Sequence, residues 1–135
     1  MDDRLKKIIE SSEFVVHDGE FVYAKLSSLP SSDDYFMISV DEDEITAVLD
    51  KDKRDNFHVI EENKDIRKLI QLKVSTPFYA TGFLAAATGA ISSKGCNNLI
   101  ISTYSKDYVL VTIDQFEQAK QALLELGMKE EVSSE

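Results

Sequence analysis

The pattern of apolar and polar residues is clearest between residues 70 and 95. Apolar and polar side chains alternate over residues 70–74, which predicts a strand with one buried face. The next three residues, Ser75-Thr76-Pro77, offer a hydroxyl N-cap and a proline in the first helical position. The small apolar residues that follow predict a helix from this point to Lys94. Gly95 is expected to end that helix, because glycine readily adopts the left-handed conformation at a helix C-terminus.

Two short strands and a final helix are predicted after Gly95. Residues 99–104 and 108–113 are rich in β-branched and aromatic side chains, and the polar residues between them predict a hairpin. Asp114, with Glu117 three residues later, is typical of a capping box at a helix start. The order β-α-β-β-α is that of a ferredoxin-like unit without its last strand.

The first half of the chain is predicted to consist mainly of strands. A short amphipathic helix over residues 2–11 precedes the turn dipeptide Asp18-Gly19. Residues 27–34 are mostly polar and contain a proline, so they replace the first helix of a full ferredoxin-like unit. The strands are expected at residues 21–26, 35–40 and 44–49, and residues 57–60 are another short strand candidate.

These elements predict an α+β fold of two ferredoxin-like halves, each an antiparallel sheet with helices packed on one face. The only candidate linker, residues 61–65, is too short to separate independent domains. We therefore expect an N-terminal half over residues 1–63 and a C-terminal half over residues 64–128. Residues 129–135 are expected to form a polar tail.

Composition limits the possible partners. The formal net charge is −10 over 135 residues, whereas nucleic acid and anionic membranes favour basic surfaces. The single cysteine excludes an internal disulfide and fits a reducing compartment. No apolar run approaches the ~20 residues of a membrane span, and the first residues lack the order of a signal peptide. We expect a cytoplasmic protein with neither a nucleic-acid nor a membrane partner.

The predicted helix start after Val74 is the strongest candidate for a binding site. The free N–H groups of a first helical turn, together with the positive end of the helix dipole, favour a carboxylate or a phosphate. Gly82 and Gly89 leave one side of this helix with little side-chain bulk. Either a ligand or partner chain approaches that side, or the helix packs closely on its own sheet.

Other polar groups have structural explanations beside the functional ones. Asn97 and Asn98 could hydrogen-bond a carboxylate and an ammonium, or serve only the turn after Gly95. The acidic run at residues 41–44 could hold a divalent cation but is typical of a solvated hairpin tip. Neither histidine has a second ligand at metal spacing, and Cys96 follows a helix end, which does not favour a reactive thiolate. No metal, cofactor or catalytic residue is predicted.

Three segments resemble the ACT domain, a module that senses small molecules. They are DGEFVY at residues 18–23, LKVSTPFYATGF at 72–83 and GCNN at 95–98. The chain is similar, more narrowly, to small bacterial and archaeal proteins of two ACT-like halves, which are relatives of the arginine-sensing CASTOR proteins. It departs from that family in its short first half and its missing last strand.

The resemblance implies a non-catalytic regulatory module that binds a small molecule, an amino acid in the first place. In ACT domains the effector lies where the strand–helix loop of one domain faces the second strand of a partner domain. An acidic protein can supply oxygens for the ammonium group, with Asp107 or backbone carbonyls as candidates. The implied site residues are Ser75, Thr76, Tyr79, Ala80, Thr81 and Gly82 on the loop, and Asn97, Asn98 and Ile100 on the strand.

Two further expectations concern assembly and alternative functions. The missing last strand and the short strands of the first half leave sheet edges uncovered, so a homodimer is expected. The chain could instead be a structural adaptor that only oligomerises. A small enzyme on a ferredoxin-like scaffold is a further alternative, although no arrangement of base, nucleophile or metal ligands supports it.

Overall fold

Two units with separate cores make up the chain in the computed structural model, which describes residues 1–76 and 81–131. We call residues 1–18 and 68–135 the terminal unit, and residues 19–67 the central unit. The helices are α1 (Asp3–Glu10), α2 (Phe83–Ser93) and α3 (Phe116–Leu126). The strands are β1 (Glu13–Val16), β2 (Phe21–Leu26), β3 (Met37–Val40), β4 (Ile45–Asp50), β5 (Val59–Glu62), β6 (Arg67–Lys73), β7 (Asn98–Ser102), β8 (Asp107–Thr112) and β9 (Lys129–Glu130).

The sheet of the terminal unit has the order β7-β8-β6-β1-β9. β1 runs antiparallel to β6, with Phe14 opposite Leu72, and parallel to β9. β7 and β8 form an antiparallel hairpin. The apolar sides of the three helices share one core with the sheet. This core includes Ile8, Ile9, Phe14, Ile70, Leu72, Phe83, Ala87, Ile91, Val109, Val111, Ala119, Ala122 and Leu123.

The central unit is a four-stranded antiparallel sheet with the order β3-β4-β2-β5. Alternate residues of β2 and β4 are buried together, so that Ala24 lies opposite Ala47 in the ladder. A 3₁₀ helix at Lys51–Asn56 follows β4 and leads to Phe57, which packs in the same core. Residues 27–34 contain no helix, as the sequence predicted, and β3 begins at Met37, two residues after its predicted start.

The α+β class is confirmed, and the fold adds two strands that the sequence pattern did not show. β1 has four residues and takes a central place between β6 and β9. β9 has two residues and, within the described part of the chain, pairs with β1 alone, so the last strand predicted to be missing is present but short. The segment predicted as a polar tail therefore begins inside the sheet.

The division into units differs from the sequence-based boundary between residues 63 and 64. Residues 1–18 belong with the C-terminal part of the chain, because β1 joins the sheet beside β6 and α1 packs in the same core. The N-terminal segment therefore completes the unit whose remaining strands lie more than fifty residues further along the chain.

Two predicted helix starts are wrong. α2 begins at Phe83, after the turn residues Thr81 and Gly82, and Gly82 is its N-cap residue; the predicted first position, Pro77, lies outside the described residues. The last helix begins at Phe116, because residues Ile113–Gln115 form a 3₁₀ turn before it. The predicted capping box of Asp114 and Glu117 does not form. Gln115 occupies the N-cap position instead and its side chain accepts a hydrogen bond from the backbone N–H of Asn97.

Candidate functional site

A cavity of about 470 Å³ lies in the terminal unit where β6 ends, α2 begins and the β7–β8 hairpin turns. Leu72 and Phe83 are almost fully buried core residues, so they give the cavity an apolar wall. Polar and charged side chains from the strand and the hairpin line the rest. The lining residues are Gln71, Leu72, Lys73, Val74, Thr81, Phe83, Leu84, Thr103, Tyr104, Ser105, Lys106 and Asp107.

The N-terminus of α2 provides backbone donors at this cavity. The first N–H groups of a helix have no partner within the helix, and Gly82 has no side chain with which to cap them. Phe83 and Leu84, the first two helical residues, both line the cavity. The positive end of the helix dipole adds to these donors. This end of the cavity therefore favours an anionic group such as a carboxylate.

Three charged side chains line the cavity. Lys106 makes no ion pair with any residue in the described part of the chain. Asp107 accepts a hydrogen bond from the Ser102 hydroxyl and is another lining residue. Lys106 and Asp107 can therefore bind a group of each charge.

The third charged side chain, Lys73, is already paired. Its Nζ lies 2.6 Å from Oε1 of Glu131. The hydrogen bond and the charge of Glu131 raise the pKa of Lys73 above its ordinary value. The hydrogen bond from Lys73 lowers the pKa of the Glu131 carboxyl in turn. Both groups are therefore charged over the whole neutral range.

The segment that leads from β6 towards α2 is fixed to the end of α1 by a cluster of serines. The buried Ser12 hydroxyl accepts a hydrogen bond from the Ser75 backbone N–H at 3.0 Å and donates to the Ile8 carbonyl at 2.6 Å. The hydroxyls of Ser11 and Ser75 lie 2.8 Å apart. α1 thus holds the chain in place where it leaves β6.

The predicted site residues are only partly brought together. Thr81 and Asp107 line the cavity, and Gly82 lies directly before α2. Ser75 is bound to the serines of α1, and neither it nor the exposed Thr76 is among the lining residues. Tyr79 and Ala80 lie outside the described residues.

Asn97, Asn98 and Ile100 do not line this cavity. The Asn98 amide donates to the Ser92 hydroxyl at 3.2 Å, while its Oδ1 is buried without a hydrogen-bond partner among the described residues. Ile100 lies on β7 with 44% of its surface exposed. Their expected place opposite the strand–helix loop of a second domain stays a prediction.

The sequence interpretation included Asp107 but missed Lys73, Lys106 and the other hairpin residues that line the cavity. Their position follows from the pairing of β8 with β6, which puts the start of β8 near the end of β6. The only signal in the sequence was the polar hairpin turn itself, which was assigned to a loop. Two lysines close to a helix start favour an anion, and they would have been a reason to treat the hairpin turn as part of the site.

A second, more open cleft of about 320 Å³ lies in the central unit. Burial raises the pKa of the Tyr23 hydroxyl there, although the charge of Arg67 opposes the effect. Carboxylates predominate in the lining, which consists of Tyr23, Ala24, Lys25, Glu44, Thr46, Glu61, Glu62 and Asn63.

Two kinds of feature are absent from the part of the chain that the structure describes. No group of three or more histidine, cysteine, aspartate or glutamate side chains is placed to hold a metal ion in residues 1–76 and 81–131. In the same ranges, no helix has the length and apolar character needed to cross a bilayer.

Known structures share this fold. A protein of unknown function from Vibrio cholerae, described as a possible transport protein, superposes with a TM-score of 0.81 at 23% identity, over 93% of this chain and 97% of that one. A protein from Agobacterium tumefaciens gives a TM-score of 0.67 at 20% identity, over 92% and 95%. The ligand-free regulatory subunit of aspartate kinase from Thermus thermophilus gives 0.60 at 13% identity, over 85% and 95%.

Residues 61–125 match the family model of the ACT domain, which supports a regulatory, ligand-binding module. The recognition made from the sequence is confirmed. A comparison with curated proteins finds no match.

Proposed function

We propose that the chain is a regulatory module that binds a small zwitterion, an amino acid, in the cavity of the terminal unit. The observation that carries the proposal is the placement of Lys106 and the first turn of α2 around the same cavity as Asp107. The lysine and the helix amides suit a carboxylate, and Asp107 suits an ammonium group. The match to the ACT domain model at residues 61–125 supports a regulatory rather than a catalytic role.

A thermal-shift screen of the twenty amino acids tests this proposal. A ligand present at a hundredfold excess over its Kd adds about 2.7 kcal/mol to the free energy of unfolding. That is a rise of roughly 5–10 °C in Tm for a chain of this length. If no amino acid at millimolar concentration raises Tm, the chain is not an amino-acid sensor and the adaptor alternative takes its place.

Two variants that change the net charge equally can distinguish loss of a cation in the cavity from a general effect of net charge on binding. Lys106→Gln removes a cation from the cavity lining, whereas Lys64→Gln removes an exposed cation in the central unit. We expect Lys106→Gln to weaken binding about tenfold, since charge-assisted hydrogen bonds contribute about 1.5–3 kcal/mol. Equal affinities of the two variants would place the carboxylate elsewhere.

We also propose that the module works as a homodimer in the cytoplasm. β7 pairs only with β8 among the described strands, and its exposed edge carries Leu99 and Ile100. Edge strands with apolar side chains and no charged residue are open to pairing with another chain. The cysteine of the sequence, Cys96, is buried and free, which fits a reducing compartment.

A further inference from the structure

The residues of β6 that line the cavity belong to different faces of the sheet, because side chains alternate along a strand. Leu72 belongs to the core that the sheet shares with the helices. Gln71 and Lys73, its neighbours along the strand, therefore lie on the opposite face. Val74, the next residue, packs against the same core as Leu72. On the side of α2, this segment therefore gives the cavity an apolar lining of Leu72 and Val74.

The same alternation places one carboxylate of the hairpin on the side of α2. In the β7–β8 register, Ser102 lies opposite Asp107 and Ile100 lies opposite Val109. Val109 and Phe83 of α2 belong to the same core, and Asp107 lies two residues before Val109 on β8. Asp107 therefore shares the helix-covered face of the sheet. The carboxylate and the free N–H groups of the first turn of α2 thus lie on one side of the cavity.

The other described residues on this side are mainly apolar. Leu72 and Phe83 are each only 3% exposed, so they are already covered by the core. Leu84 and Val74 line the cavity and are partly buried, and they offer apolar surface that a ligand can contact. When Asp107 is matched with an ammonium group, no further carboxylate remains among the described lining residues.

Tyr104 adds an exposed aromatic ring from the turn of the hairpin. It lines the cavity, and 95% of its surface is exposed. The turn itself is closed by a hydrogen bond from the Thr103 backbone N–H to the Lys106 carbonyl at 2.8 Å. An aromatic ring contributes a large apolar area when another apolar group covers it. The rim of the cavity therefore also favours an apolar group.

We infer that the ligand is an amino acid with an apolar side chain, and that this side chain contacts Leu84, Val74 and the ring of Tyr104. The inference rests on the proposed function and names the class of side chain that the same site selects. The charged ends of the ligand are oriented by the helix start and Asp107. Burial of the apolar side chain then decides which amino acid binds most tightly.

Calorimetric titration of the wild-type protein with pairs of amino acids of nearly equal shape tests this inference. Valine and threonine, leucine and asparagine, and methionine and glutamine differ mainly in the polarity of the side chain. Each buried methylene group raises affinity about fourfold, and burial of a polar group without a hydrogen-bond partner lowers it. We expect the apolar member of the best-binding pair to bind about tenfold more tightly than its polar counterpart.

Two matched variants test the residues that contact the side chain. Leu84→Asn places an amide in the apolar lining, whereas Leu124→Asn makes the same change on α3, away from the lining residues. We expect Leu84→Asn to weaken binding of the preferred amino acid about tenfold, and Leu124→Asn to bind as wild type does. Tyr104→Ser changes a residue outside the core, so it tests the same preference if Leu84→Asn fails to fold. It should reduce the ratio of apolar to polar affinity several-fold.

The outcomes separate this inference from the proposed function. Polar amino acids that bind as tightly as their apolar counterparts would overturn the inference while leaving the amino-acid site intact. Tightest binding of an amino acid with a charged side chain would overturn it too, as would a wild-type affinity ratio in both Leu84→Asn and Tyr104→Ser. If none of the twenty amino acids binds to the wild-type protein, the proposed function falls together with this inference.

Discussion

Gly82 lies against Leu5, so that a Cβ added to the glycine would meet Leu5 Cδ2 at 3.2 Å. Gly82 also has a φ of +89°, a conformation that side chains of L residues rarely adopt. The contact joins α1 to the start of α2, beside the cavity. Glycine is therefore required here by the backbone and by a neighbouring side chain, and not only to admit a ligand.

We expect Gly82→Ala to lower the free energy of unfolding by about 1–2 kcal/mol, since it adds left-handed backbone strain to a tight contact. Gly89→Ala is the matched control, because Gly89 lies inside α2 with nothing within 4 Å of an added Cβ. That change should instead stabilise by about 0.5–1 kcal/mol, the helix-propensity difference. Urea unfolding measures the free energy of unfolding of both variants. A Gly82→Ala variant as stable as Gly89→Ala would contradict the strain and the close contact inferred at Gly82.

Ser12→Ala is expected to weaken ligand binding as well as stability. The Ser12 hydroxyl is the acceptor for the Ser75 N–H, and its loss should cost about 1 kcal/mol. It should also free the segment after β6 and reduce affinity several-fold. Ser11→Ala is the comparison, because the exposed Ser11 hydroxyl bonds to the Ser75 hydroxyl and leaves the backbone bond from Ser75 to Ser12 in place. Equal affinity in both variants would show that α1 does not position the site.

The Lys73–Glu131 pair gives β9 a dependence on pH. The folded pKa of Glu131 lies below its ordinary value of 4.5, so the pair stabilises the strand above that pH and is lost as the pH falls through the lowered pKa. The raised pKa of Lys73 keeps the pair intact above pH 10.5. Exchange at the Glu131 amide, corrected for its intrinsic rate, should therefore speed up relative to Glu131→Gln only below about pH 4.5. A constant difference down to pH 3 would contradict this assignment.

Self-association through β7 predicts that Ile100→Lys shifts a dimer to the monomer. Ile100 is 44% exposed on an edge strand, and a lysine there is a charge that natural edge strands use against pairing. Leu124→Lys is the control, because Leu124 is 40% exposed on α3. Light scattering should give about twice the chain mass for wild type and the control, and a mass near 15.2 kDa for Ile100→Lys. A wild-type mass near 15.2 kDa at micromolar concentration would exclude the dimer.

The local pattern of apolar and polar residues was sufficient to predict an element that is long or whose apolar and polar residues alternate strongly. β6, the β7–β8 hairpin and α1 lie within a few residues of their predicted positions, since their apolar residues repeat with the period of a strand or a helix. β9 was missed because two residues show no period. β1 was missed because four residues between two turns are a weak signal, and its place beside β6 depends on a pairing more than fifty residues away in sequence.

The start of α2 shows how a capping signal can mislead. Ser75-Thr76-Pro77 has the residues of a helix start, yet the Ser75 N–H and hydroxyl are used in bonds to Ser12 and Ser11, and the helix begins at Phe83. The candidate site is therefore lined by Thr81, Lys106 and Asp107, and not by Ser75 and Thr76 as the predicted helix start implied. Only the tertiary pairing of β6 and β8 places the hairpin at that point.

The binding of an amino acid in the cavity of the terminal unit is tested most directly by an NMR titration. The ¹⁵N-labelled protein is titrated with the amino acid that raises Tm most. The backbone signals of Lys73, Thr81, Leu84, Lys106 and Asp107 should shift together along one saturation curve, while those of Thr46 and Glu61 in the central cleft stay in place. Shifts confined to the central cleft or to β7, or no saturable shift at all, would contradict the account.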